Sequence, residues 1–130
     1  RRATWMADMP KFLSANARAI VLSATSQETV AWIARMGEAA SLPALLAMNH
    51  TITETDLRPD TAAIALPTLV IHGDADKSAP LGLTGRRVAA MIPGSVLHVY
   101  EGAPHALLVT HPGRLNDDLR DWIAGSRDRR

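Results

Sequence analysis

The sequence predicts an α/β fold, with a mostly helical segment over residues 1–60 and a strand–helix–strand–helix segment over residues 61–130. Two observations support this prediction. Apolar residues recur at spacings of three and four along the first third of the chain, as they do in amphipathic helices. After Pro67, the aliphatic run Thr68-Leu69-Val70-Ile71-His72 shows no alternation with polar residues, which favours a strand buried on both faces of a parallel sheet.

The helical segment is expected to contain three helices, of which the first covers residues 10–19. The motif Thr25-Ser26-Gln27-Glu28 predicts a capping box, in which a hydroxyl accepts a hydrogen bond from the amide three residues on. This box starts a second helix, which we end near Ala40. Ser41 is the expected N-cap of the third helix, because Pro43 suits a first turn.

A polar loop over residues 51–59 is expected next, with a short helical turn that starts at Arg58 and leads to the first strand. Helical spacing then covers residues 83–92, and Val96-Leu97-His98-Val99-Tyr100 predicts a second strand. A turn over residues 101–105 and a last helix over residues 111–124 follow. Because a helix joins the two strands, we expect them to be parallel.

The composition excludes several classes of function. The net charge of +1 comes from 14 basic and 13 acidic residues, whereas nucleic-acid-binding proteins carry a concentrated basic excess. The chain has no cysteine, so it has neither a thiolate nucleophile nor a disulfide framework. No apolar run reaches the roughly 18 residues that span a bilayer. We expect a cytoplasmic protein that binds neither nucleic acid nor a membrane.

Chemistry is expected in the loops that follow the strands, because ligands of open α/β sheets bind beyond the carboxyl ends of the strands. The first loop carries Asp74 and Asp76, and the second carries His105. A carboxylate that accepts a hydrogen bond from His105 would fix the tautomer of the imidazole and stabilise its protonated form. Together with His72, these residues match no metal-ligand spacing, and we expect no metal and no cofactor.

The other histidines are interpreted as structural. His72 and His98 lie in the predicted strands, where their side chains are expected to make hydrogen bonds at the sheet. His111 precedes a proline near a helix start and is expected at the surface or in a cap, and His50 falls in the predicted loop.

Motifs in residues 67–124 occur in the order and at the spacing of one known family. They are Pro67-Thr68-Leu69-Val70-Ile71-His72-Gly73-Asp74-Ala75-Asp76, Ala79-Pro80, Thr84-Gly85-Arg86, Ile92-Pro93-Gly94, Tyr100-Glu101-Gly102-Ala103-Pro104-His105, Thr110-His111 and Leu115-Asn116-Asp117-Asp118-Leu119. This segment resembles the C-terminal part of an α/β-hydrolase, and in particular the esterase and perhydrolase group called non-haem chloroperoxidases. The stretch from Trp5 to Asp60 more weakly resembles the helical cap of those enzymes.

The resemblance implies a Ser-His-Asp triad for hydrolysis of a small carboxylic ester, with a perhydrolase side reaction. Asp76, four residues before Pro80, falls on the family's acid, and His105 falls on its catalytic histidine. Asp74 is the rival acid, and its alternative role is to accept hydrogen bonds from loop amides.

Two features depart from the family pattern. The Gly-x-Ser-x-Gly elbow of the nucleophile does not occur in this sequence, and Ser41, Ser78 and Ser95 lack its surroundings. The resemblance therefore places the serine before Arg1, and the chain alone is expected to be inactive. Ala106 stands where the family usually has glycine, which puts the geometry of that loop in question.

Two alternatives remain open at the level of sequence. Two parallel strands do not make a stable sheet, which favours a chain that is the end of a larger α/β domain. A small α+β domain, in which the helical first third covers the strands, is the structural alternative. The functional alternative is a non-enzymatic module that associates through its open sheet edge.

Overall fold

The computed structural model describes residues 8–127, so Trp5, where the predicted cap-like stretch begins, lies outside the described residues. The chain forms two compact units that divide between Leu57 and Arg58. The helices of the first unit are α1 (Met9–Ala19), α2 (Gln27–Glu38) and α3 (Leu42–Glu54). The second unit contains, in order, α4 (Arg58–Ala62), β1 (Leu69–Gly73), α5 (Gly85–Met91), β2 (Val96–Tyr100), α6 (Leu107–Thr110) and α7 (Pro112–Arg127). Over the described range, no helix combines the length and the apolar character needed to cross a membrane.

Side-chain caps start the helices of the first unit. The hydroxyl of Ser41 accepts the amide hydrogen bond of Ala44 (3.3 Å), so Ser41 is the N-cap of α3 as predicted. The N-cap of α2 is Ser26, whose hydroxyl accepts from the amide of Thr29 (3.2 Å). The predicted start of the helix is confirmed, but the predicted capping box from Thr25 to Glu28 was wrong, because the N-cap is Ser26 and the residue three positions on is Thr29.

Helix α3 continues to Glu54, so the prediction of a loop from residue 51 was wrong. The threonine hydroxyls in this stretch find acceptors within the helix. Thr51 donates to the carbonyl of Ala47 (3.1 Å), and Thr53 donates to that of Asn49 (2.9 Å). Such hydrogen bonds satisfy a hydroxyl that would otherwise compete with the helical backbone. His50 consequently lies in a helix and not in a loop.

The first unit is held together by packing of α1 against α2. Ala17 of α1 is buried, and so are Val30 and Ala34, which lie one turn apart on α2. Gly37 of α2 lies against Leu13 of α1, because a Cβ on Gly37 would come within 2.8 Å of the leucine side chain. A larger residue at position 37 would therefore require the side chain of Leu13 to move.

The second unit is organised around a parallel pair of strands. The register runs from Leu69 opposite Val96 to Gly73 opposite Tyr100, so the strands end at the same level. Helix α5 provides the crossover between them. In the described part of the chain the sheet has two strands, and their first four residues are half-buried, whereas burial on both faces was predicted. Each strand has a single partner there, which explains the difference.

Tyr100, the last residue of β2, anchors helix α7. Its side chain is fully buried, and its hydroxyl donates to Oδ2 of Asp118 on α7 (2.5 Å). The guanidinium of Arg114, one turn earlier on α7, lies 3.8 Å from the centre of the tyrosine ring, a cation–π distance. His98 of β2 places its Nδ1 3.2 Å from the same oxygen of Asp118. One carboxylate thus joins the sheet to the last helix.

The pKa of Tyr100 gives a direct test of this anchor. Burial, and then the hydrogen bond and negative charge of Asp118, raise the pKa of Tyr100 to about 12, against about 10 in an exposed tyrosine. Because folding raises this pKa, the interaction contributes its full stability below pH ~10 and loses it as the pH rises through 12. Asp118→Asn is expected to lower the pKa while leaving it above 10, since burial remains.

The measurement is absorbance at 295 nm against pH, which is unambiguous because the chain has one tyrosine. Circular dichroism at each pH reports whether the chain is still folded. Asp121→Asn, an exposed position on the same helix, is the control and should leave the titration unchanged. A wild-type midpoint near 10 in the folded chain would rule out the anchor.

Candidate active site

Two loops meet beyond the carboxyl ends of the strands. The aspartate loop, residues 74–80, follows β1, and the histidine loop, residues 101–106, follows β2. Because the two strands end opposite each other, both loops leave the sheet at the same level. The amide of Ala75 donates a hydrogen bond to the carbonyl of Ala103 (3.1 Å), so backbone pairing continues from the sheet into the loops.

Gly73 allows this close approach. A Cβ on Gly73 would lie 2.1 Å from the carbonyl oxygen of Ala103 and 3.0 Å from that of Pro104. Both atoms belong to the backbone of the histidine loop, which cannot move aside as a flexible side chain can. The contact therefore requires glycine at position 73, because any side chain there would overlap the backbone of the histidine loop.

Asp76 is the buried polar residue at the centre of the two loops, with 6% of its surface exposed. Its Oδ1 accepts hydrogen bonds from the amides of Ser78 and Ala79, each at 2.8 Å. Its Oδ2 lies 2.7 Å from Nδ1 of His105. The carboxylate therefore closes its own loop with one oxygen and holds the neighbouring loop with the other.

These hydrogen bonds keep Asp76 ionised. Burial is the largest single influence on its pKa and acts to raise it, since a buried carboxylate loses hydration. The amide of Ala79, the side chain of His105 and the amide of Ser78 act in the opposite direction. Together they outweigh burial and hold the pKa of Asp76 below its usual value. At neutral pH this side chain is therefore only a hydrogen-bond acceptor.

The state of Asp76 fixes the tautomer of His105. An ionised carboxylate cannot donate, so the proton of the short contact belongs to Nδ1 of His105. In the neutral ring, Nε2 then carries the lone pair and is able to accept a proton. The side chain of His105 is 46% exposed, whereas that of Asp76 is 4% exposed. A buried acceptor that orients a half-exposed imidazole is an arrangement suited to general base catalysis.

Asp74 has a different partner. Its Oδ1 accepts the amide hydrogen bond of Gly102 (2.7 Å), which fastens the start of the histidine loop to the aspartate loop. The side chain of Asp74 thus makes the kind of loop contact that its alternative interpretation describes. The structure brings Asp76, and not Asp74, to the imidazole of His105.

The remaining candidate residues make other contacts. Ser95 donates its hydroxyl to the carbonyl of Ala89 (2.7 Å), and His111 places Nδ1 2.8 Å from the hydroxyl of Thr110. In the part of the chain that the structure describes, no serine hydroxyl is hydrogen-bonded to His105. Ala106 has φ −86°, which alanine adopts without strain, so its departure from glycine does not disturb this turn.

The contacts of His72 with the aspartate loop were not predicted from the sequence. Nε2 of His72 lies 2.8 Å from the carbonyl of Ala79 and 3.3 Å from Oδ2 of Asp76. The available signal was its position next to Gly73, where the strand ends and the loop begins. Helix α6, which starts two residues after His105, was also missed.

Comparison with known proteins identifies the fold. No family model matches the chain. A non-haem chloroperoxidase from Kitasatospora aureofaciens is 40% identical over 72 residues, covering 53% of this chain and 26% of that protein. A bifunctional esterase/perhydrolase from Acinetobacter calcoaceticus is 30% identical over 71 residues, covering 55% and 26%. The crystal structure of bromoperoxidase from Bacillus anthracis matches with a TM-score of 0.90 and 25% identity, over 94% of this chain and 46% of that chain.

The fold is therefore that of the C-terminal part of an α/β-hydrolase sheet, preceded by a helical segment. Within that class, the chain is similar to the non-haem chloroperoxidases, esterases and perhydrolases, and the resemblance that the sequence motifs indicated is confirmed. The matched stretch spans 26% of the length of these two relatives.

The packing of the two loops predicts the effect of filling the space at Gly73. Gly73→Ala is expected to lower the free energy of unfolding by about 1–3 kcal/mol, the usual cost of overpacking a close contact. Urea denaturation followed by circular dichroism measures this loss. Gly82→Ala is the matched control, because a Cβ there would contact nothing within 4 Å. Equal stability of the two variants would contradict the close approach.

Proposed function

We propose that Asp76 and His105 are the acid and the base of a serine hydrolase that acts on small carboxylic esters. The observation that carries this proposal is the 2.7 Å contact between a buried carboxylate and a half-exposed imidazole, on two loops at the carboxyl edge of the sheet. The similarity to an esterase/perhydrolase supports the reaction class. In this proposal the nucleophilic serine comes from residues outside this chain.

The first half-reaction transfers the acyl group to the serine. Nε2 of His105 accepts the proton of the serine hydroxyl while the serine oxygen attacks the ester carbonyl. The imidazole becomes positively charged, and the carboxylate of Asp76 stabilises that charge through Nδ1. His105 then donates the proton to the oxygen of the departing alcohol as the ester C–O bond breaks.

The second half-reaction releases the acyl group. His105 takes a proton from water, whose oxygen attacks the acyl-serine, and then returns the proton to the serine oxygen. Hydrogen peroxide in place of water gives a peracid by the same proton transfers, which is the perhydrolase reaction named for the relative from Acinetobacter calcoaceticus. The lowered pKa of Asp76 keeps it charged throughout the cycle.

One observation favours a second candidate function. The strands are half-buried and, within the described range, each has one unpaired edge. Unpaired edges are templates for association with another chain, so a non-enzymatic module that forms a defined complex would use this edge. A defined dimer in light scattering, together with a folded chain by circular dichroism and no hydrolase activity in the chimera described below, would favour this second function.

A chimera tests the hydrolase proposal. In it, this chain replaces the matched 46% of the bromoperoxidase from Bacillus anthracis, which supplies the rest of an α/β-hydrolase. The chimera is expected to hydrolyse p-nitrophenyl acetate. Asp76→Asn should lower kcat by about 10⁴-fold, the loss seen when a triad aspartate is replaced in a serine protease. His105→Ala should leave only background hydrolysis.

Two controls make the result interpretable. Asp74→Asn should retain the activity of the chimera, since Asp74 contacts Gly102 and not His105. The chain by itself should show no hydrolysis that depends on His105. A folded, active chimera whose kcat is unchanged by Asp76→Asn would refute the proposed roles. Hydrolysis by the chain alone that His105→Ala abolishes would place the nucleophile within these 130 residues.

A further inference from the structure

His72 is the penultimate residue of β1, and its side chain contacts the aspartate loop. Its side chain is 15% exposed, and its Nε2 faces two acceptors. The carbonyl oxygen of Ala79 is 2.8 Å away, and Oδ2 of Asp76 is 3.3 Å away. The mechanism proposed above does not use this imidazole.

The chemistry of these neighbours fixes the proton on His72. A backbone carbonyl accepts hydrogen bonds and never donates, and an ionised carboxylate does the same. Nε2 must therefore carry a proton, whatever the protonation state of Nδ1. An unprotonated Nε2 would place a lone pair against two oxygen acceptors, at the cost of both contacts.

Ala79 lies between His72 and the carboxylate of Asp76 and forms a hydrogen bond with each of them. The amide of Ala79 donates to Oδ1 of Asp76 (2.8 Å), while its carbonyl accepts from His72 and from the hydroxyl of Thr84 (3.1 Å). Residue 79 is thus held at both of its polar backbone groups. The amide and the carbonyl belong to the two peptide groups on either side of the Cα of Ala79, so the hydrogen bond from His72 restrains the residue whose amide binds Asp76.

Helix α5 holds the imidazole ring in place. A Cβ on Gly85, the first residue of α5, would lie 2.7 Å from Nδ1 and 2.9 Å from Cγ of His72. The ring therefore rests directly against the glycine backbone. Any larger residue at position 85 would displace the ring, and with it the donor that faces Ala79 and Asp76.

We propose that His72 is a positioning residue for Asp76, acting through a donated Nε2 proton, and that it sets the tautomer of His105 indirectly. This inference rests on the proposed pairing of Asp76 with His105. Oδ2 of Asp76 is hydrogen-bonded to His105 (2.7 Å), whereas Nε2 of His72 is hydrogen-bonded to the carbonyl of Ala79 and lies 3.3 Å from the same carboxylate oxygen. When the donor of His72 is removed, Ala79 loses a hydrogen bond at its carbonyl, and the residue whose amide binds Oδ1 of Asp76 is less restrained.

The test is ¹⁵N NMR of the histidine rings in the full chain, which reports the proton position in each neutral imidazole. Wild-type His105 is expected to carry its proton on Nδ1, and His72 on Nε2. His72→Leu should lower the ratio of the Nδ1–H to the Nε2–H form of His105 by about two- to tenfold, the effect of one lost hydrogen bond to a neutral carbonyl. His72→Gln should restore the wild-type ratio, because its amide nitrogen reaches the position of Nε2.

Two control variants and one further test variant separate positioning from loss of fold. His98→Leu removes the imidazole of the neighbouring strand, which contacts Asp118, and should not change His105. Gly85→Ala displaces the ring of His72 without altering its chemistry and should shift His105 in the same direction as His72→Leu. Gly82→Ala, where a Cβ contacts nothing, should leave it unchanged.

The outcomes distinguish this inference from the proposed function. A His72→Leu chain that folds and keeps the wild-type ratio for His105 overturns the positioning role alone. If that variant does not fold, a wild-type His72 with its proton on Nδ1 and none on Nε2 overturns it equally. A wild-type His105 whose proton position does not respond to Asp76→Asn instead refutes the Asp76–His105 pair on which both proposals rest.

Discussion

The arrangement of both loops depends on the buried carboxylate of Asp76. A buried charge without partners would be strongly unfavourable, and here each oxygen is satisfied. Oδ1 accepts two amides of the aspartate loop, and Oδ2 accepts from His105 of the histidine loop. The imidazole of His72 adds a contact from the strand. One side chain therefore connects the sheet to both loops, and its charge is what makes these connections favourable.

The backbone around this carboxylate is arranged for close approach. Gly73 lets the histidine loop lie against the end of β1, and Gly85 lets the ring of His72 lie against α5. At the other side of the loop, Tyr100 holds β2 to α7 through a second carboxylate, that of Asp118. His105 follows Tyr100 by five residues, so its position is set by an anchor at the base of its loop and by Asp76 at the other end.

The features that could be predicted from the sequence are those determined by neighbours along the chain. The strand at residues 96–100 and the N-cap at Ser41 depend on local patterns, and the structure has both. The order of motifs also indicated the class of fold. The strand and loop pattern alone left both Asp74 and Asp76 open, because both follow the same strand, and the family resemblance selected Asp76 by its position four residues before Pro80.

The errors have the same physical origin. Helix α3 extends beyond its predicted end because the hydroxyls of Thr51 and Thr53 are satisfied inside the helix, which a count of polar residues does not reveal. The contact of His72 with Asp76 depends on a turn of the loop that brings Ala79 back to the strand. Sequence patterns and the family resemblance indicated the fold, the two loops and the pair Asp76 and His105, whereas the contacts of His72 required the three-dimensional structure.

The most direct test of the central role of Asp76 is the stability of the chain and of Asp76→Asn as a function of pH. Because folding lowers the pKa of Asp76, its carboxylate stabilises the folded state above the unfolded-state pKa of about 3.9, and this stabilisation is lost as the pH falls through the lower folded-state value. The account predicts that Asp76→Asn costs about 1–3 kcal/mol of unfolding free energy at pH ~7, as for a buried group that loses a charged partner. That difference should shrink as the pH falls below about 4. A difference that stays constant through the acid range would contradict the account, because the charge of Asp76 would then contribute nothing to the fold.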